Sequence, residues 1–231
     1  MEETIELRSK YQYFRVLVMG RANAGKTTIL KAVCGTTEAP QVYNKRGRRI
    51  QAKKSILLPT SRRGVHNIEN ELRFRSNPGF VFHDSCGFEA GATEELEMVR
   101  AFINSRATER SVHKQLHAIW FCLPTDHDAR MLTAAELDFF DRCNTGKVPV
   151  IAVFTKFDSL DSKAFQELRD RGIDFFEARE RAPHYADEHF ERIHLNRVFQ
   201  RQYPPANELR IRSKLSEIQV TLTSNKSYSL L

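Results

Sequence analysis

A chain of 231 residues with 41% hydrophobic side chains is long enough for one large domain and can bury a core. Its longest apolar runs, residues 118–123 and 148–154, are strand-sized and far below the roughly 20 residues that a membrane-spanning helix needs. The net charge of +7 raises the question of an anionic partner, but no RNA- or DNA-binding motif accompanies it, so no specific nucleic acid is predicted.

The N-terminus and the cysteines both favour an intracellular protein. Residues 1–6 are acidic and polar where a signal peptide would carry a basic and then an apolar segment. The four cysteines, Cys34, Cys86, Cys122 and Cys143, show neither a CxxC pair nor the spacing of metal ligands, which favours reduced, partly buried thiols. We expect an intracellular, cytoplasmic location.

The first predicted elements are a strand at residues 13–19, a glycine loop at residues 20–27 and a helix that ends near Gly35. The loop reads Gly-Arg-Ala-Asn-Ala-Gly-Lys-Thr, the pattern GxxxxGK[ST]. A loop that runs into a helix N-terminus directs several N–H groups at one anion. Lys26 is placed to reach the outer phosphates of a nucleotide and the Thr27 hydroxyl to bind Mg²⁺. The alternative is a chance glycine turn with a surface lysine.

Residues 36–59 predict a long connection, and a basic cluster begins within it. Its members are Lys45, Arg46, Arg48, Arg49, Lys53, Lys54, Arg62 and Arg63. The cluster is either a solvated loop or a surface for an anionic partner, and composition leaves both open. Alternating apolar and polar residues at 65–75 then predict an edge strand. A turn at Asn77, Pro78 and Gly79 and a strand at residues 80–82 complete a hairpin that leads to Asp84.

Helices and strands alternate over the next part of the chain. A helix begins at Thr93, with Leu96, Val99, Phe102 and Ile103 as its buried stripe. A strand at residues 117–123, a second helix whose capping box begins at Thr133, and a strand at residues 148–154 follow. This order predicts an α/β fold of three layers, α/β/α, with a mainly parallel, doubly wound sheet and one antiparallel edge strand. Ligand loops should lie at the C-terminal ends of the strands.

Two further motifs follow predicted strands. Asp84, Ser85, Cys86 and Gly87 form a DxxG, in which the carboxylate can hold Mg²⁺ through water and the Gly87 N–H can sense a γ-phosphate. Residues 155–158 read Thr-Lys-Phe-Asp, which is similar to the guanine-specificity motif NKxD. Asp158 would accept both guanine N–H donors, a contact that adenine cannot reciprocate. The alternatives are a helix N-cap for Asp158 and a solvated charge for Lys156.

Residues 12–160 therefore resemble the translation-factor-like class of P-loop GTPases, and most closely its Era-like, septin-like and immune-associated G domains. The resemblance implies GTP and GDP binding, Mg²⁺ and a switch cycle. It divides the chain into an N-terminal extension at 1–12, a G domain core at 13–160 and a C-terminal helical part at 161–231 with a divergent or truncated tail. An unidentified protein effector and a homodimer across the nucleotide face belong to the same expectation.

Carried over residue by residue, the resemblance implies a set of nucleotide, metal and catalytic residues. The nucleotide contacts are Gly20, Ala22, Asn23, Ala24, Gly25, Lys26, Thr27, Thr28 and Gly87, with Thr155, Lys156 and Asp158 at the base. The metal residues are Thr27, Asp84 and a first-switch hydroxyl from Thr60 or Ser61, of which we favour Thr60. Lys26, Asn23 and Thr60 are the catalytic candidates. The basic segment before Thr60 then becomes the mobile, partner-facing part, for an effector or an anionic surface at residues 45–63.

Two positions bear on turnover. Phe88 follows the DxxG where Ras-like enzymes carry the glutamine that orients water, so the sequence predicts a slow GTP hydrolase. Asn23 is where related enzymes bind a potassium ion that can replace an arginine finger; alternatively it only tolerates a positive φ. A non-catalytic guanine-nucleotide-binding interaction module is the second function that the sequence allows. His83 and His66 are given no catalytic role, because a histidine on a strand is more often packed or hydrogen-bonded.

The C-terminal third predicts two helices, residues 162–181 and 186–199, divided at Ala182 and Pro183. Residues 218–223 are the candidate for the last strand of the family fold, and Ser224, Asn225 and Lys226 for the guanine-contacting loop after it. No metal other than Mg²⁺ is predicted.

Overall fold

A computed structural model gives the fold, and it describes residues 13–50, 67–85, 93–127, 131–214 and 217–222. The strands are β1 (Phe14–Met19), β2 (Gln41–Tyr43), β3 (Arg49–Ile50), β4 (Glu71–Phe74), β5 (Asn77–Asp84), β6 (Ala118–Pro124), β7 (Val150–Thr155), β8 (Asn207–Lys214) and β9 (Glu217–Leu222). The helices are α1 (Lys26–Val33), α2 (Thr93–Ala107), α3 (Ala134–Arg142), α4 (Asp158–Asp170), α5 (Phe175–Phe190) and α6 (Asn196–Phe199), with a 3₁₀ turn at Val112–Lys114 and a π-helical turn at Glu191–Leu195.

Within the described residues the strands form one sheet in the order β3-β2-β4-β5-β1-β6-β7-β8-β9. The central strands β5, β1, β6, β7 and β8 each run parallel to their neighbours in this group, an arrangement that long crossover connections allow. Antiparallel strands flank this centre at both ends. The predicted α/β fold with a mainly parallel sheet and an antiparallel edge strand is confirmed, and the antiparallel part extends to β2, β3 and β4 at one end and to β9 at the other.

Apolar side chains on both faces of the sheet make the three layers. On one face, Leu17 and Met19 of β1 pack with the buried stripes of α2 and α3 and with Phe190 of α5. On the other face, Val16 and Val18 pack with Ile29 and Leu30 of α1. Successive residues of β1 point to opposite faces, and both sets are fully buried, as expected for a strand at the centre of a parallel sheet.

The helices before β7 follow the predicted pattern. The stripe of α2 is buried as predicted, at Leu96, Val99, Phe102 and Ile103. The capping box of α3 is also present: Thr133 Oγ1 accepts from the Glu136 N–H, and a Glu136 carboxylate oxygen accepts from the Thr133 N–H. Local sequence therefore determines where both helices lie.

The hairpin before Asp84 is present, but the prediction for its turn is wrong. Arg75 and Ser76 form the turn, and residues 77–79 are already in β5, where Asn77 pairs with Phe74. Pro78 lacks an N–H and is tolerated near the beginning of a strand beside a register shift. The shift lies between Leu72 and Phe74 of β4.

The predicted helix break at Ala182 and Pro183 is also wrong. Pro183 lies inside α5. The boundary between the two helices lies earlier, at Gly172, whose φ of 85° suits glycine. Asp174 then caps α5 by accepting hydrogen bonds from the N–H groups of Phe176 and Glu177 at 2.9 and 3.3 Å. The capping aspartate after a glycine turn is the stronger boundary signal.

The prediction for the last parallel strand requires a third correction. β8 pairs parallel with β7, whereas the candidate strand at residues 218–223 lies in β9, which runs antiparallel to β8 at the sheet edge. The last residue of β8 is Lys214, so the position after the last parallel strand is not that of residues 224–226. Ser224, Asn225 and Lys226 lie outside the described residues.

Candidate nucleotide-binding site

The glycine loop turns sharply between β1 and α1. Gly20, Asn23 and Gly25 have φ values of 135°, 61° and 76°, and Gly25 is the N-cap residue of α1. A Cβ atom on Gly20 would lie 2.3 Å from the carbonyl oxygen of Cys122 in the neighbouring strand β6. The loop thus runs against the end of the sheet and directs the first turn of α1, with its unpaired N–H groups, over β1.

We expect Gly20→Ala to destabilise the protein by about 3 kcal/mol or more, because the added methyl group meets backbone that cannot rotate away. Gly35→Ala is the matched control: Gly35 also has a positive φ, of 60°, but nothing lies within 4 Å of its Cβ position. That substitution should cost only about 1–2 kcal/mol of left-handed strain. Urea unfolding of both variants measures the difference, and equal costs would contradict the close-approach argument.

The lysine and threonines of the loop lie at the beginning of α1. Lys26 Nζ donates to the carbonyl oxygens of Gly20 at 2.5 Å and Arg21 at 3.2 Å, so the ammonium group lies within the loop. Thr27 is half-buried and Thr28 is exposed. The loop therefore combines backbone N–H groups, a cation and hydroxyl groups, which is the donor set that a nucleoside phosphate with its magnesium ion requires.

Asp84 lies at the end of β5, beside the loop. In the parallel register of β5 and β1 it is paired with Val18, and the next N–H, of Ser85, donates to the Val18 carbonyl oxygen at 3.1 Å. The carboxylate therefore reaches the same edge of the sheet as Lys26. Below the loop, burial raises the pKa of the Cys122 thiol to about 12, so this cysteine is a neutral packing group.

Thr155 connects the end of β7 to the glycine loop. Its Oγ1 donates to the carbonyl oxygen of Ala24 at 3.0 Å, across β6, and its side chain lies 3.6 Å from the Cβ position of Gly25. The residue is buried, and its hydroxyl contacts the glycine loop. One hydrogen bond thus joins the two motifs that the sequence separates by more than 100 residues.

The next residues turn away from the sheet and begin α4. Lys156 has a φ of 56°, and its Nζ donates to Asp126 Oδ2 at 2.6 Å. Asp158 is the first residue of α4 and is half-buried; the N-cap position belongs to Phe157, so Asp158 is not the N-cap. The ends of β1, β5 and β7 therefore bring a phosphate-type loop, a carboxylate and an aspartate-bearing turn to one edge of the sheet.

The chain matches a known protein family. The family profile described as a 50S ribosome-binding GTPase matches residues 15–156, which is more than half of the chain. The chain belongs to this GTPase family. The predicted membership of the P-loop GTPases is thereby confirmed, and guanine nucleotide binding is the property that the family shares.

Two solved structures resemble this GTPase domain. The septin GTPase domain of Chlamydomonas reinhardtii is 20% identical, with a TM-score of 0.40, over 69% of this chain and 60% of that one. The G domain of the T. maritima FeoB iron transporter is 13% identical, with a TM-score of 0.34, over 75% of this chain and 99% of that one. The chain thus spans less than two thirds of the septin domain. Among curated proteins, none matches significantly.

Several predicted residues of the GTPase site lie outside the described part of the chain. They are Thr60 and Ser61 of the first switch and Gly87 and Phe88 of the second. Among the described residues, no helix is long and apolar enough to cross a membrane, and no group of three His, Cys, Asp or Glu side chains has a geometry that could hold a metal ion.

Sequence reasoning missed the end of β6, which supports the turn after β7. Thr125 Oγ1 donates to the carbonyl oxygens of Thr155 and Lys156 at 3.1 and 3.0 Å, and Ser159 Oγ donates to the Thr125 carbonyl. Burial acts to raise the pKa of Asp126, but the hydrogen bond and the charge of Lys156 outweigh it, and the pKa is lowered. The available signal was the position of Thr125 and Asp126 directly after the apolar strand β6.

His83 is packed and hydrogen-bonded, as the sequence predicts for a histidine on a strand. Its Nε2 lies 2.8 Å from the Arg15 Nη1, and its Nδ1 lies 2.8 Å from the Ile68 carbonyl oxygen. Burial, together with the charge of Arg15, lowers the pKa of His83 to about 3. The ring is therefore neutral at physiological pH, accepts from Arg15 and donates to Ile68.

Proposed function

We propose that this GTPase domain binds GTP and GDP with Mg²⁺ and is a slow GTP hydrolase that acts as a nucleotide-dependent switch. The observation that carries the proposal is the hydrogen bond from Thr155 Oγ1 to the Ala24 carbonyl. It holds the base-recognition motif and the phosphate loop at a fixed separation, as a single ligand with a base at one end and phosphates at the other requires.

At the phosphate end, the N–H groups of residues 20–28 would surround the β-phosphate, and Lys26 would exchange its carbonyl partners for phosphate oxygens. Thr28 would contact the α-phosphate. Thr27 and Thr60 would bind Mg²⁺ directly and Asp84 through water, while the Gly87 N–H would contact the γ-phosphate. When bound, Mg²⁺ neutralises charge on the β- and γ-phosphates.

At the base end, the carboxylate of Asp158 would accept the N1–H and the 2-amino group of guanine. The methylene stem of Lys156 would cover the ring, with its ammonium group held by Asp126 at 2.6 Å. Thr155 would support base binding by holding the glycine loop in place through its hydrogen bond to the Ala24 carbonyl. The connection that begins after Lys214, the last residue of β8, is the candidate for the last guanine contact in place of residues 224–226.

The slow rate follows from Phe88, since a phenyl ring cannot orient the attacking water. Turnover then depends on stabilising the charge that develops on the phosphates. Asn23 is exposed in the loop with a φ of 61°, and its side-chain oxygen is available to a monovalent cation beside the phosphates. We propose potassium as that cation.

The hydrolysis rate should therefore be higher in KCl than in NaCl at equal ionic strength, and Asn23→Ala should remove the difference. A potassium ion that replaces one transition-state donor is worth about 100- to 1000-fold in rate. Asn23→Gly is the control, because it preserves the positive φ but also lacks the side-chain oxygen. Potassium dependence retained in both variants would contradict the assignment and leave Asn23 as a turn residue.

Phe88 also favours a second candidate function, a non-catalytic guanine-nucleotide-binding interaction module. One experiment separates the two. Phosphate release from GTP is measured with Mg²⁺ in potassium buffer, for the native chain and for Lys26→Ala. Release that depends on Lys26 supports the hydrolase, whereas tight GTP binding without release supports the module.

For partners, we propose an acidic protein effector or an anionic membrane surface that contacts the basic segment at residues 45–63, and a homodimer across the nucleotide face. Among the described residues of the segment, Lys45, Arg46, Arg48 and Arg49 are exposed, and the Lys45 side chain is 73% accessible although it lies 3.4 Å from Glu69. An exposed cluster of like charge attracts anions over about 8–10 Å at physiological salt.

Neutralising Lys45, Arg46, Arg48 and Arg49 to glutamine should weaken binding to phosphatidylserine vesicles, measured by sedimentation, by up to about 1000-fold, since each basic residue near such a surface contributes about 1 kcal/mol. The control removes the same charge from four exposed residues of α4 and α5, namely Lys163, Arg169, Arg179 and Arg181. Equal vesicle binding by both quadruple variants would contradict the membrane proposal.

A further inference from the structure

Arg212 of β8 binds a carboxylate of α4, the helix that begins with Asp158. Its Nε donates to Asp161 Oδ2 at 2.8 Å and its Nη2 to Asp161 Oδ1 at 3.1 Å, a two-pronged contact. The same Nη2 donates to Asp187 Oδ1 of α5 at 3.0 Å. Only 7% of the Arg212 side chain is accessible. A buried bidentate contact of this kind holds the Asp161 carboxylate in one orientation.

Arg212 also covers Phe157, the residue between Lys156 and Asp158. Its guanidinium carbon lies 4.7 Å from the centre of the Phe157 ring, which is fully buried. The backbone N–H of Phe157 donates to the Ile211 carbonyl oxygen at 3.0 Å. Two consecutive residues of β8 therefore hold Phe157, one through its backbone and one through its ring.

These contacts hold the chain on both sides of Asp158, at Phe157 before it and at Asp161 after it. Asp161 lies three residues after Asp158 on α4, and residues at that spacing occupy the same side of a helix. Fixing Asp161 against β8 fixes the rotation of α4 about its axis, and fixing Phe157 sets where the helix begins. Lys156, with its φ of 56°, leaves the turn strained and in need of such support.

We infer that Arg212 is a positioning residue for guanine recognition: it aims the Asp158 carboxylate through Asp161 and Phe157 without touching the nucleotide. The inference rests on the proposed function, because it assigns the base to Asp158. It predicts that Arg212 determines the selectivity for guanine more than the affinity for phosphates.

The test measures dissociation constants of GDP, IDP and ADP by titration calorimetry. IDP lacks the 2-amino group, so the ratio of IDP to GDP constants reports the geometry at Asp158. Arg212→Met should raise the constant for GDP by about 10- to 100-fold, as expected for a small misplacement, while ADP binding stays the same. The IDP to GDP ratio should fall towards one. Asp161→Asn should act in the same direction, and Arg212→Lys should restore part of the ratio.

Arg15→Met is the control for loss of a buried strand arginine. Arg15 of β1 pairs with Glu71 at 2.7 Å, in the other half of the sheet, and its replacement should lower stability but not the IDP to GDP ratio. A native ratio retained in folded Arg212→Met and Asp161→Asn overturns the inference alone. Should Arg212→Met not fold, Arg212→Lys and Asp161→Asn decide it. A native chain that does not prefer GDP over ADP overturns the proposed function and the inference with it.

Discussion

Lys26→Ala should raise the dissociation constant for GTP by about 100-fold or more, because each hydrogen bond from a charged donor contributes about 1.5–3 kcal/mol and this lysine serves more than one phosphate oxygen. Folding should be little affected, since the ammonium group contacts two loop carbonyls that water can satisfy. Titration with a fluorescent GTP analogue measures the loss, and thermal unfolding without nucleotide checks the fold.

Lys31→Ala is the matched control, because Lys31 lies in the last turn of the same helix, far from its N-terminus. It removes the same charge and should leave GTP binding within about 2-fold, since a surface charge acts weakly through water. Equal effects of the two substitutions would mean that the loop attracts nucleotide only through net charge, and the phosphate role of Lys26 would be lost.

Asp158→Ala should abolish the preference for guanine. A bidentate, charge-assisted contact with two N–H donors is worth about 3–6 kcal/mol, so GDP affinity should fall by about 100- to 10,000-fold while the weak binding of ADP remains. Asp158→Asn goes further: its amide can donate to the 2-oxo group of xanthine, so XDP should bind this variant better than GDP does. Calorimetry with the three diphosphates measures both effects.

Asp170→Ala controls for the loss of an acidic residue from α4, since Asp170 is its exposed last residue. Nucleotide preference should be native in this variant. If Asp158→Ala retained the preference for GDP, the base would be recognised elsewhere, and the geometric link between Thr155 and the phosphate loop would have no bearing on guanine.

The centre of the fold could be predicted because its signals are local. β1, the glycine loop and α1 are consecutive in the chain. The apolar strand, the loop residues with positive φ (Gly20, Asn23 and Gly25) and the beginning of the helix all predict the same local structure. The capping box of α3 is a similar case, since Thr133 and Glu136 satisfy each other within four residues. Such signals need no knowledge of the rest of the chain.

β8 could not be predicted for the opposite reason. Its Arg210 and Arg212 are buried, although arginine rarely is, and a strand rich in charge resembles an exposed segment. The two terminal nitrogens of Arg210 donate to Asp187 and Glu191 of the preceding helical segment and to Glu208. These partners become visible only once the helices pack on the sheet, so the pattern of one strand cannot reveal them.

Pro183 shows tertiary packing overriding a local rule. Proline removes a backbone hydrogen bond and normally ends a helix. Here Ala178, Ala182 and Ala186 are buried in one stripe that packs with Ala164 and Leu168 of α4. Small side chains let the two helices approach closely, and the packing of α5 around Pro183 offsets the lost bond.

The central claim is that the phosphate loop and the Asp158 turn hold one guanine nucleotide. Its most direct test is calorimetric titration of the native chain with GDP and with ADP, each in the presence of Mg²⁺. The account predicts one site per chain with GDP bound about 100-fold or more tightly than ADP. Equal affinities, or tighter binding of ADP, would contradict it.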